Sequence, residues 1–222
     1  MCGRYSLTKT DLKKRFGLLD GNCPYDESYN ISPSTVNPVI IRNSPNSLVL
    51  MKWGLIPFWA RDPKIGFRMI NARVEDIENK PAFRKPIRSQ RCLIPATGFY
   101  EWKRLNLEGI EEKVPFYIYL KKQEIFSFAG VYDVWTDAEA RRIYSYAIIT
   151  TSANEMMRSI HDRMPVILDM ENEDRYLDKN TKLSEILEIL KTSDTKKMSS
   201  YPISKLVNDP RNDTPEIIKK LS

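Results

Sequence analysis

With 222 residues, 41% hydrophobic and 29% charged, the chain has enough apolar material for a proper core and fits one large domain or two small ones. Its net charge of +6 is compatible with a polyanionic partner without requiring one. Three cysteines with no metal-ligand spacing, and a single histidine, argue against a disulfide framework and a histidine-based zinc site, so neither metal nor cofactor is expected.

The first residues, MCGRYSLTKTDLKKRFG, lack the apolar run of a secretory signal. No later stretch approaches the roughly 20 apolar residues of a membrane helix, which sets the expectation of a cytoplasmic protein with no membrane contact. Cys2 has a chemical consequence of its own. Loss of Met1, favoured by a small second side chain, would leave a 1,2-aminothiol. An α-amine has a pKa of about 7.7–8.0 against about 10.4 for lysine, so roughly a third is neutral near pH 7.5. A neutral amine adds to an aldehyde, and the adjacent thiol can then close a five-membered thiazolidine. Taken alone, a cysteine at position 2 is equally readable as incidental.

Thr8 to Phe16 reads as a short helix capped by Thr8 or Thr10, with Leu12 and Phe16 inward and Gly17 as its stop. Residues 18–37 read as loop. Val39–Ile41 and Leu48–Trp53 read as strands joined by a turn at Asn43–Asn46. Trp53 to Arg61 mixes large aromatics with basic residues, and Lys64 and Arg68 follow. Exposed aromatics can stack on bases while cations track phosphates, whereas buried ones are simply core.

Asn71, Arg73 and Glu75 share one side if their segment is extended; otherwise Asn71 caps a helix over Arg73–Asn79. A second short helix is predicted over Pro81–Ser89. Strands follow at Cys92–Pro95, Gly98–Lys103, Pro115–Leu120, Ile125–Val134 and Ile143–Thr150. Glu101 is flanked by aromatics in Gly98–Trp102. Desolvation there would favour its protonated form and suit it to proton transfer; an outward-facing glutamate is the alternative. His161, in His161-Asp162-Arg163-Met164-Pro165, is either a proton shuttle or a loop histidine bonded to Asp162.

Asn154–Ser159 reads as a helical turn and Val166–Leu168 as a strand. Glu171–Leu177 and Leu183–Leu190 read as helices, and Val207–Leu221 as extended and then helical. Polar stretches at 104–114 and 192–202 read as inserted loops. The absence of βαβ alternation predicts an α+β domain built on an antiparallel, barrel-like sheet.

Seven ordered segments carry a resemblance. They are Met1-Cys2-Gly3-Arg4-Tyr5, Tyr29-Asn30-Ile31-Ser32-Pro33, Trp53-Gly54-Leu55-Ile56-Pro57, Asn71-Ala72-Arg73-Val74-Glu75, Arg91-Cys92-Leu93-Ile94-Pro95-Ala96, Gly98-Phe99-Tyr100-Glu101-Trp102 and His161-Asp162-Arg163-Met164-Pro165. In this order they resemble the SOS-response-associated peptidase (SRAP) family. The resemblance implies one compact domain over residues 1–222 with a barrel-like β core and peripheral helices, acting as a monomer of bacterial or phage type. It implies binding of single-stranded DNA and covalent capture of abasic sites as a thiazolidine through processed Cys2. By motif it assigns Cys2, Asn71, Glu101 and His161 to catalysis and Arg4 and Arg73 to phosphates. Pro33, Trp53 and Phe58 fall in segments that it places along the DNA. Two other readings are a thiol peptidase, with removal of Met1 as its simplest reaction, and a module that holds single strands without chemistry.

Overall fold

The computed structural model describes residues 2–8, 11–18, 25–42, 46–107, 110–191 and 197–221. The described strands are β1 (Tyr5–Leu7), β2 (Ser28–Ile31), β3 (Val36–Arg42), β4 (Asn46–Trp53), β5 (Asn71–Arg73), β6 (Arg91–Ala96), β7 (Gly98–Leu107), β8 (Ile110–Leu120), β9 (Phe126–Thr136), β10 (Arg142–Ser152), β11 (Arg163–Pro165), β12 (Ile167–Leu168) and β13 (Met198–Pro202). The helices are short: α1 (Leu12–Phe16), α2 (Pro86–Ser89), α3 (Glu155–Arg158), α4 (Met170–Leu177) and α5 (Leu183–Ile189).

The larger sheet closes on itself. Its strands run β10-β4-β3-β6-β9, and β9 pairs again with β10. This five-membered ring leaves its members no free edge to template aggregation. Most of its ladders are antiparallel, as expected, but β10 meets β4 and β5 in parallel. Gly130 sits where β9 serves both β6 and β10, opposite Cys92 and Ile148. A Cβ there would lie 2.1 Å from Ile94 Cδ1 and 3.0 Å from Cys92 Sγ, so a larger residue would oblige the Ile94 side chain to repack.

Trp53 closes the barrel interior. It is 0% exposed, meets the Tyr5 ring edge-on at 5.2 Å and stacks on Tyr146 at 6.3 Å. Its indole N–H donates to the Ile70 carbonyl at 2.9 Å, which satisfies the one polar atom it buries. Gly54 follows with φ +122°, and a Cβ would meet the Gly66 carbonyl oxygen at 2.6 Å. That left-handed turn takes the chain from the barrel wall into the 55–70 loop.

The second sheet, β13-β8-β7-β1-β2, is antiparallel throughout. It corrects three expectations. Residues 104–107 and 110–114, on either side of 108 and 109, which lie outside the described residues, are the paired far ends of β7 and β8, not an inserted loop. Their charges stand on an exposed ribbon, and that polarity mimics a loop in sequence. Met198–Pro202 is a strand along β8, and residues 192–196 lie outside the described residues. Ser28–Ile31, placed in a loop by its Asn and Ser content, pairs with β1.

Smaller corrections concern caps and turns. Asp11, not Thr8, caps α1 through Lys14 N–H at 3.0 Å; Thr10 lies outside the described residues. Leu12 and Phe16 do point inward, and Gly17 ends the helix at φ +62°. The chain over 81–85 is turn, leaving only Pro86–Ser89 helical. The final segment holds two 3-10 turns, Lys205–Asn208 and Pro215–Ile218, rather than an α-helix. Val207 and Ile217 from these turns bury against Tyr100, Tyr117 and Ile203.

Candidate active site

Register brings the segment around Cys2 alongside Glu101. In the β1–β7 ladder Tyr5 faces Phe99 and Ser6 faces Gly98, and Tyr100 N–H donates to the Arg4 carbonyl at 3.0 Å. Continued toward the N-terminus, the same antiparallel pairing sets Gly3 opposite Glu101 and Cys2 opposite Trp102, one step from Glu101, whose charge reaches the Cys2 thiol. Cys2 is wholly buried and Glu101 is 3% exposed. The glutamate is therefore not the outward-facing residue of an alternating strand. Burial pushes its carboxyl above the usual range, opposed in part by the positive field of His161. Burial also raises the Cys2 thiol well above its ordinary value, and the Glu101 charge raises it further. The thiol is held as S–H, and the carboxyl is biased toward COOH.

This burial predicts a pH signature. A carboxyl whose folded pKa is raised binds more protons in the native than in the unfolded state across the interval between the two values. Stability then falls as pH rises through that interval. Glu101→Gln removes the charge and keeps the shape, so it is expected to be at least as stable as the wild type at pH 7. The advantage should shrink as pH drops into the ordinary carboxylate range. Thermal denaturation of both proteins at pH 7 and pH 4.5 measures it. A Glu101→Gln protein that is less stable than the wild type at pH 7 would contradict a desolvated carboxylate.

His161 arrives from the other sheet. Asn154 caps α3 by accepting from Met157 N–H at 2.9 Å, and His161 N–H bonds back to the Met157 carbonyl at 2.8 Å as the helix ends. The Arg163 backbone N–H donates to His161 Nδ1 at 3.0 Å, and Asp162 Oδ1 lies 2.8 Å from the same nitrogen. Arg163 itself makes a forked pair with Glu75, at 2.6 and 2.9 Å, and donates to the Thr150 carbonyl at 2.8 Å. The Arg163 guanidinium holds the Glu75 carboxyl below its ordinary range.

That pair anchors the Asn71–Glu75 segment to the His161 loop. Asn71 and Arg73 lie on β5, opposite Ile148 and Thr150 of β10. The extended reading of this segment therefore holds as far as Arg73, and a 3-10 turn begins at Val74. Asn71 is not a helix cap. Its Nδ2 donates to the Ile70 carbonyl at 3.0 Å, while its Oδ1 is buried with no acceptor role in the fold. Arg73 is exposed.

Glu101 and His161 share a cleft of about 470 Å³ with Trp102, Arg104, Lys113 and Asn208. The Trp102 indole N–H donates to Asn208 Oδ1 at 2.8 Å. Arg104 and Lys113 face each other directly across the β7–β8 ladder. Like charges in that position disfavour a hairpin, and Glu111, 3.3 Å from the Arg104 guanidinium, offsets part of that cost. Trp102, Arg104, Lys113 and Asn208 were not among the sequence-selected site residues. For Trp102 and Arg104 the alternation past Glu101 carried a usable signal; Lys113 needed the hairpin register and Asn208 the tertiary fold.

Other selected residues lie elsewhere. Trp53 is core, which corrects its placement along a DNA surface: the barrel encloses it completely. The Arg4 guanidinium donates to Asn30 Oδ1 at 2.6 Å and to the Val207 carbonyl at 2.8 Å, clasping the C-terminal segment beside the N-terminus. Asn30 Nδ2 completes the clasp on the Asp209 and Asn212 carbonyls. Pro33 is half-buried in the turn before β3 and does not line the cleft. Phe58 is 53% exposed with Lys85 Nζ 4.2 Å from its ring centre, also outside the cleft lining. Among the described residues no group of three potential ligands could hold a metal, and no helix is long and apolar enough to cross a membrane.

A closed five-stranded barrel, flanked by a second sheet that buries a near-N-terminal thiol beside a carboxyl which shares a cleft with an imidazole, defines a class of small α+β protein. Residues 1–210 match the family described as SOS response associated peptidase (SRAP), and the chain belongs to that family. It is 46% identical to the abasic site processing protein YoqW of Bacillus subtilis (strain 168), over 99% of both chains. It is 32% identical to the abasic site processing protein HMCES of Rattus norvegicus, covering 90% of this chain and 65% of that one. A crystal structure of a Bacteroides thetaiotaomicron protein shares the fold with a TM-score of 0.88, 33% identity and full coverage of both chains.

Proposed function

We propose that this protein processes abasic sites in single-stranded DNA by trapping the sugar aldehyde on Cys2 after Met1 is removed. The observation that carries the reading is that Cys2 lies buried within reach of the Glu101 charge, while Glu101 shares with His161 a cleft lined by Trp102, Arg104 and Lys113. The relatives named above, both abasic site processing proteins, support the same reading. Arg104 and Lys113, with exposed Arg73, supply cations for a phosphate backbone, and Trp102 offers a ring on which any base can stack. A single strand suits an open cleft of this size better than a duplex.

The chemistry follows from the protonation states. An abasic sugar is a hemiacetal in equilibrium with an open C1′ aldehyde. As the ring opens, the C1′–ring oxygen bond pair goes to the ring oxygen, protonated His161 gives that oxygen a proton, and the C1′ hydroxyl releases its own proton to solvent, which leaves the aldehyde. The freed α-amine adds to C1′, forming C–N as the carbonyl π pair moves to oxygen. One N–H proton passes to that oxygen, protonated Glu101 delivers a second, the C–O bond breaks with its pair leaving as water, and nitrogen returns its remaining proton to the Glu101 carboxylate, which leaves a neutral imine. The Cys2 S–H then adds across C=N: sulfur bonds to C1′ and the thiol proton goes to nitrogen. The sum is aldehyde plus aminothiol giving thiazolidine plus water. The orphan Asn71 Oδ1 is an acceptor suited to an N–H or O–H of the adduct. A thiol peptidase needs a thiolate, and a buried Cys2 whose thiol is raised is poorly suited to that role.

The test uses protein whose mature N-terminus has been verified as Cys2 by mass spectrometry. A single-stranded oligonucleotide with one abasic site is expected to give a heat-stable, gel-shifted adduct without reductant, and an intact oligonucleotide none. A non-covalent module would give only salt-sensitive retention. Absence of the heat-stable band with verified protein would falsify the proposal.

A further inference from the structure

His161 Nδ1 faces two partners that demand opposite protonation. The Arg163 backbone N–H, 3.0 Å away, needs a lone pair on Nδ1. The Asp162 carboxylate, 2.8 Å away, is satisfied only by a proton there. One arrangement is therefore the neutral ring with hydrogen on Nε2. The other carries hydrogen on Nδ1 and hands control of Nε2 to the cleft that His161 lines. Arg163 is fixed in place by Glu75 and Thr150, so its N–H does not swing away, whereas Asp162 is 86% exposed and can follow the ring.

We infer that Asp162 is a positioning residue that sets which nitrogen of His161 holds the proton. The inference rests on the proposed aldehyde capture for its catalytic meaning. A neutral ring with hydrogen only on Nε2 can donate a hydrogen bond but is a very weak acid, because losing that proton leaves an imidazolate. The doubly protonated ring loses the Nε2 proton to the sugar oxygen and becomes a neutral ring with hydrogen on Nδ1. Asp162 stabilises both of those forms. The bare Nε2 left behind then accepts the next proton, so one contact equips the same atom as acid and afterwards as base. The tautomer is decided by a second hydrogen-bonding group, as it is for imidazoles generally.

The chain contains a single histidine, so its ring nitrogens give an uncrowded long-range ¹H–¹⁵N spectrum. Asp162→Asn keeps the oxygen and removes the charge. At a fixed near-neutral pH, the free variant is expected to shift the nitrogen signals toward the Nε2–H tautomer relative to wild type. Its adduct formation should be about fivefold slower, the size expected for an exposed pair, with affinity for an intact oligonucleotide unchanged. Asp162→Glu should restore part of the rate. Nitrogen signals identical to wild type would overturn the inference, as would a tautomer shift with an unaltered rate. A wild type that forms no adduct would defeat the capture reading instead, and the free-protein spectra would still report on Asp162.

Discussion

Cys2→Ala is expected to abolish the heat-stable adduct while leaving retention of an intact oligonucleotide unchanged. Alanine at position 2 still permits removal of Met1, so the variant keeps a free α-amine. It can form the imine but cannot close the ring. An imine hydrolyses readily, and nothing in the variant intercepts it. Addition of borohydride during incubation should therefore recover a covalent band in Cys2→Ala that is absent without it. The recovered band separates the two halves of the nucleophile. A thiol-first mechanism predicts no recovery, because the atom that attacks first would be missing. The expected loss without reductant is at least about a hundredfold, the scale on which losing a covalent catalytic step is felt. Cys92 cannot substitute: its thiol, held within β6, is not on the same residue as the α-amine, so it cannot close a five-membered ring on the imine.

Trp53→Ala is expected to cost about 3–5 kcal/mol of stability, the range for emptying a large aromatic site in a core. That is a major share of the roughly 5–15 kcal/mol that holds a domain folded. Three contacts are lost together. They are the edge contact with Tyr5, the stack on Tyr146 and the indole bond to Ile70. The neighbouring Tyr5–Tyr146 hydroxyl pair, at 2.8 Å, and the Asn37 amide on Tyr146 would also lose their packed surroundings. Urea denaturation is the measurement. Trp53→Phe should recover part of the loss by refilling the volume. A Trp53→Ala protein of unchanged stability but weakened oligonucleotide binding would restore the surface role that its burial argues against.

The contrast between Trp53 and Trp102 shows where sequence reading reached its limit. Both stand beside polar or basic neighbours, and both fit a stacking platform by composition. Trp53 lies at the end of a strand whose barrel closes over it, whereas Trp102 lies on a ribbon that leaves the core. Nothing local distinguishes them. Arg4 is a similar case. An arginine two residues from Cys2 reads as a phosphate ligand, yet its guanidinium spends two bonds on Asn30 and Val207. Val207 is 203 residues away, and no pattern near the N-terminus announces it.

By itself the sequence determined the pieces whose chemistry is intrinsic. Alternating apolar residues marked most of the strands, because a strand must bury one face whatever its partners. The aminothiol latent in Cys2 is a property of two adjacent groups on one residue. The ordered motifs singled out Asn71, Glu101 and His161, of which Glu101 and His161 share the cleft. Tertiary structure alone decided which side chains face water, since that depends on what packs opposite. It buried Glu101 and Cys2 and so set their protonation, and it turned an apparent loop at 104–114 into the wall of a basic cleft. It also set Asp162 and the Arg163 N–H on the same nitrogen of His161. Protonation and exposure are set by neighbours distant in the chain, and distant neighbours are chosen only when the barrel closes.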